Sequence, residues 1–165
     1  MIPNGVDSQL LVPLSKDECK GRLGLKGNVL GYVGSLEHWV DLETVVEAMP
    51  FHDAKLMVVG PGLFTDYGEK IKSLAERCGV ADKMKFVGAV RYSELGRYIS
   101  AMDIGLNPLK NMLKNQETVG GKVFNYLSCG IGPLIFLLHS TIPVNISIRT
   151  ENTAVSGELS TIHNE

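Results

Sequence analysis

The stretch NVLGYVGSLEHWVDLETVVEAMPFHDAKLMVVG, residues 28–60, decides the fold class. It begins with a short apolar run that ends in glycine at residue 34, and such a run predicts a buried β-strand. Asp41 then serves as the N-cap of an amphipathic helix. The apolar residues of that helix stand three, four and seven apart, at Leu42, Val45, Val46 and Met49. The second apolar run, residues 55–60, predicts another strand, and this succession favours a parallel sheet.

The same alternation continues on both sides of this stretch. Upstream, SKDE is a capping box with Ser15 as N-cap, which predicts a helix to about Leu23. Downstream, the pattern predicts a helix closed by Gly79, a strand, a helix, a strand, a helix and a fifth strand, at residues 66–79, 84–88, 93–102, 103–108, 121–130 and 133–138. Apolar strands that alternate with helices are typical of a parallel sheet covered on both faces, with right-handed crossovers. We therefore expect a single Rossmann-like α/β domain with about five parallel strands.

The chain divides into three segments by composition. Residues 1–14 are punctuated by proline and are interpreted as a linker-like segment, and residues 15–138 form the Rossmann-like domain. Residues 139–165 have no sustained hydrophobic period and are rich in Ser, Thr and Asn, so we expect a divergent, poorly ordered tail. At 165 residues the chain can bury one substantial core.

The charge and cysteine content exclude several classes of function. A formal net charge of −2 argues against nucleic acid or an anionic membrane as the main partner, since both select for clustered basic residues. Cys19, Cys78 and Cys129 form no CxxC pair, which indicates reduced thiols and no metal site. The first residues do not form a signal peptide, and no apolar run is long enough to span a bilayer. We therefore expect a cytoplasmic protein with no membrane span.

Four loops are candidates for ligand binding, because open α/β sheets bind ligands outside the carboxyl ends of their strands. They are GSLEHWVD, GPGLFTD, GAVRYSE and NQETVGGK, at residues 34–41, 60–66, 88–94 and 115–122. In the first loop, His38 and Trp39 either flank a ligand, or pack in the protein or lie on its surface. In the third, Arg91 either caps a phosphate or lies in solvent.

The last of these loops has the clearest physical interpretation. Gly120 and Gly121 allow backbone N–H groups to approach a ligand, and the helix that follows presents unpaired N–H donors and a positive dipole end. Lys122 adds a full positive charge. Three residues later, on roughly the same helix face, Asn125 can bond a ribose hydroxyl, and Glu117 in the loop can accept bonds from sugar hydroxyls.

The rest of this helix is expected to face the core through Val123, Phe124 and Leu127. The alternative interpretation is a glycine-loosened loop ahead of an ordinary helix, because a glycine pair at such a place is weak evidence for a phosphate site.

Taken in order, six segments resemble the donor-binding, C-terminal half of GT-B glycosyltransferases, in particular the large retaining family also called group 1. The segments are IPNGVD, LGYVGSLEHWVDLETVVEAM, KLMVVGPG, AERCGVADKMKFVGAV, YSELGRYISAMDIGLNPLK and GGKVFNYLSCG. The resemblance covers Met1 to about Gly130. Each motif alone is modest, whereas the ordered set is specific.

The resemblance implies roles for residues around the glycine turn. In the family, two glutamates eight residues apart contact the donor sugar and the ribose, and here they match Glu117 and Asn125. Gly120 would then lie by the sugar, and Gly121 and Lys122 by the diphosphate. Asn125 is a departure, since an amide lacks the charge-assisted strength of a carboxylate.

The resemblance also assigns nucleotide-binding positions in two other loops. Gly34 and Ser35 follow the first strand, and the base would lie by Gly88, Val90 and Arg91, held largely by backbone groups. The basic pair that grips phosphate in much of the family falls near Ser35 and Val40, and neither residue is basic. This is similar to the subgroup with a W-x-D loop, here Trp39 and Asp41, in which that basic pair is not standard. No metal and no cofactor is implied.

The expected function is that of a glycosyltransferase donor half, which binds a nucleotide-diphospho-sugar for glycosyl transfer. The acceptor-binding half is missing from the sequence, because IPNGVD, normally the interdomain linker, begins at residue 2. We expect that half either to come from a separate subunit or to have been lost, and we expect no transfer by this chain alone. The alternatives are a degenerate nucleotide-binding or interaction module and the product of a truncated gene, both without transferase activity.

Overall fold

The structure, a computed structural model, describes residues 5–62, 66–116 and 120–137. The strands in this part of the chain are β1 (Asn28–Val33), β2 (Ala54–Val59), β3 (Met84–Gly88), β4 (Ile104–Leu109) and β5 (Pro133–Leu137). The α-helices are α1 (Lys16–Leu23), α2 (Leu42–Ala48), α3 (Tyr67–Arg77), α4 (Tyr92–Ser100), α5 (Leu113–Gln116) and α6 (Gly121–Ser128). Single 3-10 turns follow α2 and precede β3, at Met49–Phe51 and Ala81–Lys83.

The five strands form one parallel sheet in the order β3-β2-β1-β4-β5. This confirms the predicted fold class. The pairing of β1 with β2 runs the full length of both strands, from Asn28 opposite Ala54 to Val33 opposite Val59. The order reverses its direction between β1 and β4, so the sheet has its topological switch point there.

The predicted helix ends are also found, because they rest on local chemistry. The Ser15 hydroxyl accepts a hydrogen bond from the backbone N–H of Glu18, and the Asp41 carboxylate accepts one from Thr44. Gly79, just after α3, has the left-handed φ of 67° that favours glycine. Helix α5 was not predicted, since four residues are too few to show a hydrophobic period.

Two cores lie on opposite faces of the sheet, and β2 separates them by simple alternation. Leu56 and Val58 pack with α2 and α3, whereas Met57 and Val59 pack with α1, α4 and α6. Part of the linker-like segment joins the second core, where Leu11 is fully buried and its carbonyl accepts a bond from the Ser128 hydroxyl. The predicted tail, residues 139–165, lies outside the described residues.

Glycines end the first three strands and bring their loops into backbone contact. The N–H of Gly34 donates to the Val59 carbonyl at 2.9 Å, and the N–H of Gly60 donates to the Gly88 carbonyl at 2.8 Å. A Cβ atom on Gly60 would lie 2.0 Å from the Gly34 carbonyl oxygen, and Gly60 has a φ of 142°. Only glycine fits at this position, because both the space and the backbone angle exclude a side chain.

We expect Gly60→Ala to lower the free energy of unfolding by about 3 kcal/mol or more, from backbone strain and overpacking together. Gly79→Ala is the matched control, since Gly79 also has a positive φ but a Cβ there meets no described atom within 4 Å. The control should cost only about 1–2 kcal/mol. Urea denaturation of the three proteins measures the difference, and equal losses in both variants would contradict the close contact.

Candidate functional site

The backbone ladder between β1 and β4 ends before the carboxyl ends of these strands, and we call this end of the strand pair the crevice. The two strands pair from Leu30 opposite Ile104 to Tyr32 opposite Leu106, and no described pair continues the ladder beyond that point. Both strands nevertheless extend further, and β4 stays paired with β5 as far as Leu109. A gap at the switch point of an open α/β sheet is the usual place for a ligand.

Lys122 crosses the end of β1 at this crevice. Its Cε would lie 3.2 Å from a Cβ on Gly34, and its Nζ lies 5.2 Å from the centroid of the Tyr32 ring. None of the described carboxylates forms a salt bridge with it. Burial lowers the pKa of the Lys122 ammonium, as expected for a cation withdrawn from water. The crevice therefore contains a partly desolvated positive charge suited to an anion.

The N-terminus of α6 adds backbone donors beside this charge. Gly120 is the N-cap and has no side chain to bond the first N–H groups of the helix. Within the described part of the chain, a Cβ on Gly121 would meet nothing within 4 Å, so the approach to the first turn is open. Gly34, Gly120, Gly121 and Lys122, predicted from separate loops, are thus brought to one place. Ser35 lies there too, since its carbonyl accepts a 2.7 Å bond from the Tyr32 hydroxyl.

Asn107 was missed by the sequence analysis and lies beneath the glycine turn. The residue is 2% exposed, and its Oδ1 accepts no hydrogen bond from the described residues. That oxygen would be 3.4 Å from a Cβ on Gly120. A buried acceptor without a donor is unfavourable, and such atoms often belong to functional sites. An amide inside the otherwise apolar run DIGLNP was the available signal.

Glu37 is a second buried polar residue that was not predicted to matter. It lies in the loop after β1 and is 5% exposed. Burial, and then the nearby Glu37 carboxylate, raise the pKa of the Tyr32 hydroxyl. A negative and a positive group thus lie near the same tyrosine, although no described salt bridge joins Glu37 to Lys122.

The predicted core face of α6 was partly wrong. Val123 is buried and Phe124 is half-buried, but Leu127 is 52% exposed. The buried face instead runs through Val123, Tyr126 and Cys129, at intervals of three residues. Asn125 is half-exposed on the adjacent surface.

The third predicted loop lies apart from this group. Strand β2 lies between β1 and β3, so β3 is an outermost strand of the sheet. The residues that end or follow it, Gly88, Val90 and Arg91, therefore lie two strands away from the end of β1. Val90 packs against the core, and Arg91 is exposed at the N-cap of α4. Glu117 falls outside the described residues.

The W-x-D loop is fixed to the segment after β4. The Trp39 carbonyl accepts bonds from the Lys110 N–H and from the Asn115 side-chain amide, each at 3.0 Å. The Trp39 indole packs against the core and meets the exposed His38 ring edge-to-face at 4.9 Å. The geometry therefore favours packing for Trp39.

A charged cluster around Glu43 supports the same region. Burial disfavours its charged form, but hydrogen bonds from Lys70, Tyr67 and Lys110 outweigh that effect and lower the pKa of Glu43 to about 2. Both lysine ammonium groups contact one carboxylate oxygen, at 2.8 and 2.9 Å. The Tyr67 hydroxyl also accepts a 3.0 Å hydrogen bond from the Leu42 N–H, and Lys110 follows β4, so the cluster connects α2, α3 and the end of β4.

Comparison with known proteins identifies the family. Residues 15–145 match the family described as glycosyl transferases group 1. The chain therefore belongs to the group 1 glycosyl transferases, as the motifs predicted. None of the curated proteins matches the sequence.

Among the described residues, no three His, Cys, Asp or Glu side chains form a group that could hold a metal ion. Similarly, no described helix has the length and apolar character needed to cross a bilayer.

Three solved structures are similar in fold. They are sucrose-phosphate synthase from Thermosynechococcus elongatus (TM-score 0.66, 22% identity, 81% of this chain and 34% of that one) and HepE from Anabaena in complex with UDP-glucose (0.69, 22%, 80% and 36%). The third is a glycosyltransferase from Rickettsia africae (0.61, 13%, 80% and 36%). The chain thus spans about a third of the length of these proteins.

Protonation of Glu43 should destabilise the fold in acid. Because its folded pKa of about 2 lies below the ordinary 4.5, the unfolded chain takes up the proton first, and stability falls as the pH drops from about 5 to 2. We expect Glu43→Gln to remove about 1–2 kcal/mol of that fall, allowing for solvent screening. Urea denaturation across this pH range measures it. Glu47→Gln, an exposed carboxyl of the same helix, should keep the wild-type pH dependence, and an unchanged profile for Glu43→Gln would contradict the cluster.

Proposed function

We propose that this chain is the donor-binding part of a glycosyltransferase and holds a nucleotide-diphospho-sugar at the crevice between β1 and β4. The observation that carries the proposal is Lys122, a half-buried cation beside a helix N-terminus at the topological switch point, with no described carboxylate partner. Diphosphate is the anion that fits such a site, because it can accept bonds from both the ammonium and the backbone N–H groups.

Membership of the group 1 family supports a sugar nucleotide over other phosphorylated ligands. HepE, which shares the fold, has been solved in complexes with UDP-glucose and with UDP. By resemblance, Asn125 would bond the ribose, and the base would extend along the strand ends toward Gly88 and Arg91. The sugar would lie by Gly120 and Glu117, where the buried Asn107 oxygen offers an acceptor to a hydroxyl group.

The chemical role of this part of the enzyme would be electrostatic. As the glycosidic bond to phosphate breaks, negative charge grows on the departing diphosphate, and fixed donors that already point at it stabilise the transition state. A second domain or subunit would hold the acceptor and close the crevice against water. No covalent step is assigned to the described residues.

A second candidate is a nucleotide-binding module without transferase activity. Two observations favour it: an amide stands at position 125 where the family has a carboxylate, and neither Ser35 nor Val40 supplies the phosphate-gripping cation. Both candidates predict nucleotide binding, and they differ only in transfer once an acceptor-binding partner is present.

Nucleoside diphosphate binding should depend on Lys122. We expect the chain to bind the best of UDP, GDP and ADP with a Kd of around 0.1–1 mM, since one side of a two-domain cleft provides only part of the contacts. Lys122→Met should weaken binding about tenfold by removing a charge-assisted bond, and the difference should shrink at high salt. Isothermal calorimetry at two salt concentrations measures both effects.

The control for that experiment is Lys26→Met, which removes an equal charge from an exposed lysine just before β1, at the opposite edge of the sheet. Its affinity should equal that of the wild type. Absence of heat and of NMR shift changes with all three nucleotides at several millimolar would exclude the proposal.

Asn125→Glu should restore the carboxylate of the family and strengthen nucleotide binding about fivefold, because a charged acceptor adds roughly 1 kcal/mol to a ribose hydrogen bond. Repulsion from the diphosphate offsets part of this gain. The control is Asn125→Gln, whose side chain is as long as that of glutamate but uncharged. This variant should bind nucleotide no more tightly than the wild type. If Asn125→Glu has wild-type affinity in the same titrations, Asn125 does not face the ribose.

A further inference from the structure

Tyr126 reaches from α6 into the sheet at the point where β1 and β4 separate. It is fully buried. Its hydroxyl accepts a hydrogen bond from the Val33 N–H at 2.9 Å and donates one to the Leu106 carbonyl at 3.0 Å. One side-chain oxygen therefore connects the backbones of two neighbouring strands.

These two backbone groups face each other and would otherwise continue the ladder. The Gly34 N–H donates to β2, so the N–H of the preceding residue, Val33, faces β4. Likewise the Gly105 N–H donates to Gly132 on the far side, so Leu106 faces β1. With Tyr32 opposite Leu106, the next bond of a parallel ladder would run from the Val33 N–H to the Leu106 carbonyl. The Tyr126 hydroxyl lies where this direct backbone hydrogen bond would otherwise form.

We infer that Tyr126 is a positioning residue whose hydroxyl keeps β1 and β4 apart and so fixes Lys122 in the crevice. A direct bond would bring the two strands to the usual N···O distance of about 2.9 Å and extend the ladder toward the site. With the hydroxyl inserted, each backbone group keeps a partner while the strands stay separated. The inserted oxygen thus opens the crevice without leaving a buried polar group unsatisfied.

The position of Lys122 depends on this gap. Lys122 precedes Tyr126 by four residues, so the two side chains lie on the same face of α6. That face packs on the core with α1 and α4, whereas Tyr32, which the ammonium approaches, belongs to the core on the other face of the sheet. The lysine therefore extends past the line of the sheet, at the end where the strands have separated.

Gly105 provides the space for the tyrosine ring. A Cβ on Gly105 would lie 2.5 Å from Tyr126 Cγ, so the ring rests directly on the β4 backbone. A glycine within a strand weakens it and often marks such a close approach. The sequence therefore contains both parts of the arrangement, a glycine in β4 and a tyrosine in α6.

The test measures Lys122 without any ligand. The chain is labelled with 13C at lysine Cε, the Lys122 signal is assigned by its loss in Lys122→Met, and its pKa is followed by NMR. In wild type it should titrate below the ordinary lysine value of about 10.4. In Tyr126→Phe, which keeps the ring and removes the hydroxyl, the strands can close and Lys122 moves into solvent, so its pKa should rise toward that value.

Ile99→Val and Ile99→Ala are the controls, because Ile99 on α4 is fully buried in the same core as Tyr126. One of them should lose less stability than Tyr126→Phe and the other more, so the two control for a general loss of stability. Neither should move the Lys122 pKa. If Tyr126→Phe is unfolded in buffer, the titration is repeated in trimethylamine N-oxide, which favours the folded state. An unchanged Lys122 pKa in folded Tyr126→Phe, or an equal change in the Ile99 variants, would overturn the inference.

The consequence for ligand binding rests on the proposed function and is measured separately. Tyr126→Phe should weaken binding of the best nucleoside diphosphate several-fold, and should add little further loss in a Lys122→Met background. If the Lys122 pKa moves but no nucleotide binds to the wild type, the proposed function fails and the positioning role stands. If nucleotide binds equally well to wild type and Tyr126→Phe, the link from the hydroxyl to the site is wrong.

Discussion

The rest of the structure depends on the parallel pairing of β1 with β2 on one side and β4 on the other. A strand in that position is buried on both faces, which is why its sequence is an apolar run with no polar alternation. Val29 and Tyr32 pack into opposite cores, and Gly31 lies against the Met102 side chain. Every loop that follows a strand then meets its neighbours at one edge of the sheet. A slip of β1 by one residue would exchange its two faces and separate Tyr32 from Lys122.

Charged side chains have different surroundings at the amino ends and at the carboxyl ends of the strands. At the amino ends of the strands, Asp103 contacts Lys16 and Lys20 and accepts the Val29 N–H, and these hydrogen bonds lower its pKa against the opposing effect of burial. At the amino ends, the negative charge of Asp103 is therefore compensated by lysines of the protein itself. At the carboxyl ends, Lys122 is partly buried beside the Tyr32 ring and the open N-terminus of α6, and none of the described carboxylates pairs with it. A positive site that the described residues do not neutralise is suited to an anion, so electrostatics distinguishes the proposed binding edge from the opposite one.

The Glu43 cluster and the glycine contacts connect the loops at this proposed binding edge. On α2, Glu43 bonds Tyr67 and Lys70 of α3 and Lys110 after β4. The W-x-D loop before α2 is also bonded to the segment after β4, because Asn115 donates to the Trp39 carbonyl. Gly34 and Gly60 hold the first two loops in direct backbone contact. Electrostatic stabilisation of a leaving group is effective only when the donors are already in place. Under the proposed function these contacts would hold the donors in place, and Gly34 is itself one of the predicted nucleotide-binding positions.

By itself, the sequence determined the strands, the longer helices and their caps, because apolar periodicity and capping act within a few residues. It also determined that Gly34, Gly120, Gly121 and Lys122 follow strands, and the parallel arrangement then required them to share an edge. The burial of Asn107 and Glu37 depends on what packs over them, so no local pattern revealed it. The sequence could not distinguish Leu127 from Tyr126 as the inward residue of α6, since both fit a helical period. Only the tertiary structure decided for Tyr126, because its hydroxyl needs partners inside the protein, and those partners are the backbone groups left free where β1 and β4 separate.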